Sequence, residues 1–240
     1  VVIQLGAIMA VVVLYFKDLW PFHNRKPKHH NVTKIEKTAG FICRFVQIDK
    51  MVMWFKIVVS CLPAIIVALP FNDFIEEKFN NYFVVAVMLI VYGVLFILIE
   101  DYNKKREPAV NSIAEISWKM ALLIGVFQLL AVIPGTSRSG ATIIGGILLG
   151  ASRTVAAEYT FFLAIPTMFG ASLLKLVKFG LHFTGAELMI LIVGMAVSFG
   201  VSILAIKFLM GYIKKHDFKV FGWYRIVLGV IVLLYFTIAG

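Results

Sequence analysis

A polar heptapeptide, Pro134–Gly140 (PGTSRSG), is the part of this sequence whose residue types best suit chemistry. Its proline and first glycine predict the end of one helix, and its last glycine allows the next to begin, because proline lacks an N–H group and glycine tolerates unusual backbone angles. The expected turn presents backbone amides, three hydroxyl groups and the guanidinium of Arg138. Such a turn is tolerated inside a membrane only where protein or a water-filled cavity satisfies its polar groups.

The groups of this turn predict an anion site. Amides at the start of a helix attract anions, and an arginine can hold two phosphate oxygens at once. A phosphate or diphosphate is therefore the expected ligand. The alternative is that Arg138 pairs with Glu158 or caps a neighbouring helix, although isolated charges at membrane depth are usually functional. For Glu158, neutralising Arg153 or Arg138 is favoured over direct catalysis.

The composition requires a membrane around this turn. Of 240 residues, 61% are apolar and 15% charged, with a mean hydropathy of +0.93. Polar side chains are too few to cover a water-soluble surface, which excludes soluble and disordered classes. The fold class is an all-α integral membrane protein, in contact with the lipid bilayer. Six apolar stretches predict transmembrane helices near 1–16, 51–70, 83–99, 154–174, 186–210 and 220–239.

The segment 117–150 carries the heptapeptide and predicts a re-entrant hairpin. Its second apolar piece has about ten residues, roughly 15 Å of helix, which reaches half way across a hydrocarbon core of about 30 Å. If the segment enters and leaves on one side, only Lys78, Lys175 and Lys178 fall on the far side, with Arg138 at the tip. The other 19 of the 23 lysines and arginines then lie on the near side, as expected of cytoplasmic loops.

Other candidate sites are weaker. Two cysteines, Cys43 and Cys61, make no disulfide framework, and no zinc motif is present. The polar segment 21–37 contains His23, His29 and His30 without the spacing of a helical metal pair. Its positive charge is best explained by a solvated cytoplasmic loop, so no nucleic-acid partner is expected.

Two segments carry a resemblance to a known family. PGTSRSGATI at 134–143 and EYTFFLAIP at 158–166 resemble the undecaprenyl-diphosphate phosphatases, also called the bacitracin-resistance proteins. The opening VVIQLGAIMAVVV is similar to the segment that follows the family's first motif. The resemblance therefore extends over essentially the whole chain.

The resemblance implies hydrolysis of a polyprenyl diphosphate, undecaprenyl diphosphate, to undecaprenyl phosphate and inorganic phosphate. That reaction recycles the lipid carrier of peptidoglycan synthesis and is linked to bacitracin resistance. The implied location is the bacterial cytoplasmic (inner) membrane, with an active site facing outward. A homodimer is one assembly that the resemblance allows. The implied architecture is an inverted repeat, here one membrane domain divided at 1–115 and 116–240.

The resemblance also assigns residue roles. Arg138 and Ser137 are the expected catalytic residues, and Gln4 and Glu158 are possible supporting residues. Arg138 would bind the diphosphate and offset charge on the transferring phosphoryl group. Substrate contacts are expected from Gly135, Thr136, Ser139 and Gly140.

The family's other signature, a Glu-rich segment followed by a Ser-Ser-Thr-Gly-His run, is expected before residue 1. The family's divalent cation, Mg²⁺ or Ca²⁺, would be held there, so no metal ligands are expected within these 240 residues. We accordingly expect the N-terminally truncated chain to bind a polyprenyl diphosphate weakly without hydrolysing it. A rival interpretation is a transporter or flippase for phosphate or a lipid phosphate, since transporters also hold anions at broken helices.

Overall fold

The computed structural model describes residues 2–22, 47–104, 106–179 and 184–239. Within these ranges the chain forms nine α-helices and two short 3₁₀ turns, Ile113–Glu115 and Leu130–Val132. The helices are α1 Gln4–Leu14, α2 Phe16–Leu19, α3 Ile48–Phe79, α4 Tyr82–Asn103, α5 Trp118–Leu129, α6 Arg138–Leu148, α7 Arg153–Phe179, α8 Gly185–Ile213 and α9 Lys219–Ala239. The predicted all-α class is confirmed, and the protein is a multi-pass membrane protein.

Five of these helices, α3, α4, α7, α8 and α9, are long and apolar enough to cross a membrane. They match five of the six predicted spans. The predicted span 1–16 differs, because α1 has only eleven residues, or about 16 Å. The backbone of Tyr15 leaves helical geometry and separates α1 from the four-residue α2.

Polar side chains mark where several helices begin. Asn81 Oδ1 accepts from the amide of Val84 at the start of α4, and Ser117 Oγ accepts from the amide of Met120 at the start of α5. Ser137 and Thr184 cap α6 and α8 in the same way. These caps satisfy amides that the helices cannot pair internally.

The helices pack in pairs, α4 with α9, α3 with α5 and α1 with α8. Glycines permit the close contacts. A Cβ atom on Gly125 of α5 would lie 2.3 Å from the carbonyl oxygen of Ser60 on α3, and one on Gly6 would lie 2.2 Å from that of Met195. The hydroxyl groups of Ser60 and the buried Tyr159 share a hydrogen bond of 2.7 Å. This bond joins α3 to α7.

Helices α5 and α6 form the predicted hairpin. Residues on either side of it are paired: the amide of Val110 donates to the Gly150 carbonyl at 3.0 Å, and the amide of Ser152 donates to the Val110 carbonyl at 2.9 Å. The hairpin therefore enters and leaves at the same end of the molecule. Beside its entrance, hydrogen bonds from the amides of Asn111 and Ser112 hold the pKa of the exposed Glu115 carboxyl below its usual value.

Charged contacts gather at that same end, which we call the basic end (Glu100–Lys104, Arg153 and Asp217–Lys219). Arg153 Nε donates to Glu100 Oε1 at 2.6 Å, and the second carboxylate oxygen accepts from the amide of Phe218 at 3.3 Å. Lys219 pairs with Asp101. The loops predicted to share one side of the membrane thus meet at one end of the fold.

The hairpin tip lies well away from the basic end. Its Gly135 contacts Val85 of α4 and its Arg138 contacts Thr167 of α7. At 1.5 Å per residue, Val85 is about 22 Å along α4 from Glu100, and Thr167 about 21 Å along α7 from Arg153. The tip is therefore past the middle of a hydrocarbon core about 30 Å thick.

Some predictions concern residues outside the described ranges. Cys43, His23, His29 and His30 lie there. The division into repeats at 1–115 and 116–240 stays a prediction.

Candidate phosphate-binding pocket

A pocket of about 300 Å³ opens between the hairpin tip and α7. It is lined by Gln128, Ser137, Arg138, Ser139, Thr142, Thr160, Phe161, Ala164 and Met168. The hairpin supplies most of the polar groups, and α7 supplies most of the apolar wall. The structure thus brings Ser137, Arg138 and Ser139 together, as the heptapeptide predicts.

The guanidinium of Arg138 supplies the positive charge of this pocket. Its Nη1 donates to Thr167 Oγ1 at 2.7 Å, and that hydroxyl donates in turn to the Leu163 carbonyl at 2.8 Å. Among the described residues, no carboxylate forms an ion pair with Arg138. The alternative in which Glu158 neutralises it is wrong. The other guanidinium N–H groups can therefore engage an anion.

Ser137 has a structural task besides any chemical one. Its Oγ accepts from the amide of Gly140 at 3.1 Å and lies 3.1 Å from the hydroxyl of Ser139. The expectation that the Gly140 amide is free for substrate is wrong, because this cap occupies it. Ser137 keeps its hydroxyl proton, which it can donate to Ser139 or to an anion.

The start of α6 nevertheless retains anion-binding capacity. In the part of the chain that the structure describes, the amides of Arg138 and Ser139 have no hydrogen-bond acceptor. Ser139 is exposed. These amides carry the positive end of the helix dipole and lie beside the guanidinium. An anion here would meet amides, a hydroxyl and a cation together.

Three residues predicted to bind substrate do not line the pocket. Gly135 has a φ of +88°, and a Cβ there would lie 2.6 Å from the carbonyl oxygen of Val85, so the position serves a tight turn against α4. Thr136 is buried beside the hydroxyl of Tyr92. Gly140 packs against Phe96, whose ring a Cβ would approach to 3.2 Å.

The two possible supporting residues are also elsewhere. Glu158 lies about 100° around α7 from the pocket-lining face, and its charged neighbours are Asp18 and Lys214. Gln4 is exposed on α1 rather than buried. The predicted pairing of Glu158 with Arg153 is wrong as well, because Arg153 reaches back to the buried Glu100 instead.

Sequence reasoning missed several lining residues. Thr142 and Thr160 pair through their hydroxyls at 2.9 Å and join α6 to α7. Gln128 is 3% exposed and comes from α5. The available signal for Gln128 was its position, one uncharged polar side chain within the apolar stretch 120–133.

The described residues contain no group of three or more His, Cys, Asp or Glu side chains that could hold a metal ion. None of these residue types lines the pocket. The charge that the described pocket offers to an anion therefore comes from Arg138.

Comparison with known proteins finds relatives that match almost the whole chain. An undecaprenyl-diphosphatase of Desulfitobacterium hafniense is 60% identical over 238 residues, which cover 99% of this chain and 80% of that protein. One from Lachnoclostridium phytofermentans is 60% identical over 239 residues, covering 100% and 81%. One from Enterococcus faecalis is 55% identical over 234 residues, covering 98% and 80%.

A family model agrees with these relatives. The model described as bacitracin resistance protein BacA matches residues 1–231, which include the hairpin, its tip and every residue of the pocket. With this match over nearly all of its length, the chain belongs to the bacitracin resistance protein BacA family.

Proposed function

We propose that this protein hydrolyses undecaprenyl diphosphate to undecaprenyl phosphate and inorganic phosphate, and so recycles the lipid carrier for cell-wall synthesis. The observation that carries the proposal is identity of 55–60% over almost the whole chain to proteins named undecaprenyl-diphosphatase. A phosphatase needs a site that holds a diphosphate and stabilises negative charge as phosphate leaves. The pocket at the hairpin tip has residues for both tasks.

Each group contributes one part of that chemistry. Arg138 offers a fork of N–H donors to phosphoryl oxygens, and its position is fixed by Thr167. The hydroxyls of Ser137 and Ser139 and the first amides of α6 donate to the same anion. Phe161, Ala164 and Met168 give the pocket an apolar side, which suits a headgroup attached to a polyprenyl chain.

The carrier alternative is not favoured, because the relatives are named undecaprenyl-diphosphatases and not carriers. The test separates the two. The chain covers about four fifths of its relatives' length, so the test uses a version that carries the remaining fifth. This protein, purified in detergent, is given undecaprenyl diphosphate, and inorganic phosphate is measured. In sealed vesicles the same lipid is followed from leaflet to leaflet. Phosphate release supports the phosphatase, whereas movement of intact diphosphate without release would contradict it.

We propose that the protein lies in the bacterial inner membrane with the basic end in the cytoplasm and the pocket facing outward. The charge distribution supports this orientation, because lysines and arginines concentrate in cytoplasmic loops. Cys43 lies outside the described residues, in the 17–50 stretch that the charge pattern of the sequence assigns to the cytoplasm. It should resist a membrane-impermeant thiol reagent in intact cells and react after permeabilisation. A Cys43→Ser protein controls for labelling of Cys61, which is buried. Labelling in intact cells would overturn the orientation.

A divalent cation is part of the proposal, on the strength of the resemblance. The described residues do not fit such an ion, since they include no cluster of acidic, His or Cys side chains. No step of the reaction is therefore assigned to the ion.

The chain spans about four fifths of the length of its relatives. Phosphate release should be compared between the 240-residue chain and a version that carries the relatives' remaining fifth. We expect chelator-sensitive turnover in the longer version only. Chelator-sensitive turnover by the shorter one would contradict this division of roles.

A further inference from the structure

One polar side chain in the pocket has no partner. Gln128 lies in the last turn of α5, is 3% exposed, and lines the pocket with Arg138 and Ser139. Its Oε1 atom is buried, and no described residue gives its carboxamide a hydrogen bond. Buried polar groups are nearly always hydrogen-bonded, so an unpaired one at a pocket wall indicates a partner that arrives with the ligand.

The chemistry of a carboxamide suits the headgroup proposed for this pocket. Its N–H₂ group donates two hydrogen bonds and its oxygen accepts two. A diphosphate oxygen needs donors, and the waters that surround a bound phosphate can donate to the oxygen. Glutamine also remains uncharged, so it adds a donor without altering the charge balance that Arg138 establishes.

Gln128 lines the pocket from the other arm of the hairpin than the cation. Arg138 begins α6, whereas Gln128 ends α5, and the turn between them folds the two helices side by side. Ser137 and Ser139 lie on the Arg138 side of the pocket. A ligand held by Arg138 therefore has Gln128 as its polar neighbour from the other arm of the hairpin.

We propose that Gln128 binds the substrate headgroup, donating from Nε2 to a diphosphate oxygen and accepting at Oε1 from a water of the same headgroup. This role rests on the proposed phosphatase function. It gives the hairpin two headgroup-binding arms, a cationic one on α6 and a neutral one on α5. A hydrogen bond to a charged group contributes about tenfold to hundredfold in affinity.

The test compares Gln128→Met with the wild type, both in the version that carries the relatives' remaining fifth. Methionine keeps the length of the side chain and removes its hydrogen bonds. We expect the KM for undecaprenyl diphosphate to rise about tenfold or more with a smaller change in kcat. Inhibition by inorganic pyrophosphate, which carries the headgroup alone, should weaken by the same factor. Val126→Met, on the exposed face of the same helix, is the control and should leave both values unchanged.

A second variant separates binding from folding. Gln128→Glu keeps the shape of the side chain, and its carboxylate repels a diphosphate. Its KM should exceed that of the wild type at neutral pH and approach it as the pH falls and the carboxyl gains a proton. A merely structural glutamine would not produce this pH profile.

The outcomes distinguish the two proposals. If the wild type releases phosphate and Gln128→Met keeps the wild-type KM and pyrophosphate inhibition, the role of Gln128 is overturned and the phosphatase stands. If KM rises while pyrophosphate inhibition is unchanged, Gln128 contacts the lipid chain, and the headgroup role is overturned. Absence of phosphate release by the wild-type version that carries the relatives' remaining fifth would overturn the phosphatase itself.

Discussion

Helices α6 and α8 are both apolar, yet they occupy opposite environments. The short α6 buries eight of its eleven residues, Gly140–Ile147, whereas the 29-residue α8 buries only Ile206, Met210 and Ile213. Replacing a glycine by alanine would place the new methyl group in different surroundings in the two helices. A Cβ on Gly145 would lie 2.5 Å from Phe127, while one on Gly200 would have no neighbour within 4 Å.

The difference separates two uses of apolar sequence in a membrane protein. A long helix can face lipid and needs only hydrophobic side chains on its surface. A short helix must be surrounded by protein, because its ends bring unpaired backbone groups into the hydrocarbon region. The turn at the hairpin tip belongs to the second kind, since the N-terminal end of α6 carries both unpaired amides and the proposed anion site.

The largest effect is expected at the first residue of α6. Arg138→Lys keeps the charge and removes the planar fork that can engage two phosphate oxygens. In the version that carries the relatives' remaining fifth, we expect phosphate release to fall about a hundredfold, equivalent to ~3 kcal/mol of transition-state stabilisation. The matched change on α8 is Lys207→Arg, an exposed position, which should leave activity unchanged. Activity of Arg138→Lys within a few-fold of the wild type would assign Arg138 a structural role.

The next effect is expected where the hairpin is anchored. Glu100 is 1% exposed and pairs with Arg153, which follows α6 in the chain. Glu100→Gln leaves that arginine without its partner. We expect a loss of about 2 kcal/mol in unfolding free energy, below the 3–5 kcal/mol of a fully buried pair, because the Arg153 side chain is 33% exposed.

Asp101→Asn is the control for this anchor. Its partners are Lys104 and Lys219, and its own side chain is 52% exposed. An exposed pair contributes about 0–1 kcal/mol. Thermal unfolding in detergent should therefore shift clearly for Glu100→Gln and little for Asp101→Asn. Equal shifts would show that burial at the basic end does not strengthen the contact.

The same contrast between buried and exposed helices explains what the sequence could predict. The length of the apolar stretches and the distribution of charge were sufficient to predict five spans and the hairpin, because both can be read from the sequence without knowing which helices pack together. The types of residue in the heptapeptide were sufficient to predict that Arg138, Ser137 and Ser139 lie together in a polar pocket. Packing partners were not predictable. Gln128 reaches the pocket only because the hairpin folds back on itself. Glu100 pairs with Arg153, which is 53 residues away in the sequence, only because the fold brings their helices together.

Gly145→Ala tests the packing of α6 itself. The new methyl group would clash with the inner atoms of the Phe127 ring, which are too close to its backbone to move aside easily. Overpacking of this kind costs about 1–3 kcal/mol. The melting temperature in detergent should fall, and pyrophosphate inhibition should weaken, because Phe127 adjoins Gln128. A variant as stable as the wild type would mean that α5 and α6 can separate without loss.

The smallest effect is expected on α8. Gly200 is exposed, and a methyl group there meets no atom of the described chain. Gly200→Ala should therefore cause no loss of unfolding free energy, because the methyl group meets no neighbour and alanine favours a helix over glycine. Melting temperature and molecular mass in detergent are measured together, for this variant and for Gly145→Ala. If Gly200→Ala destabilises the protein as much as Gly145→Ala and also lowers the mass, α8 is covered by a second copy of the chain. The contrast between the two helices would then hold for one copy only, and the exposed face of α8 would be an interface.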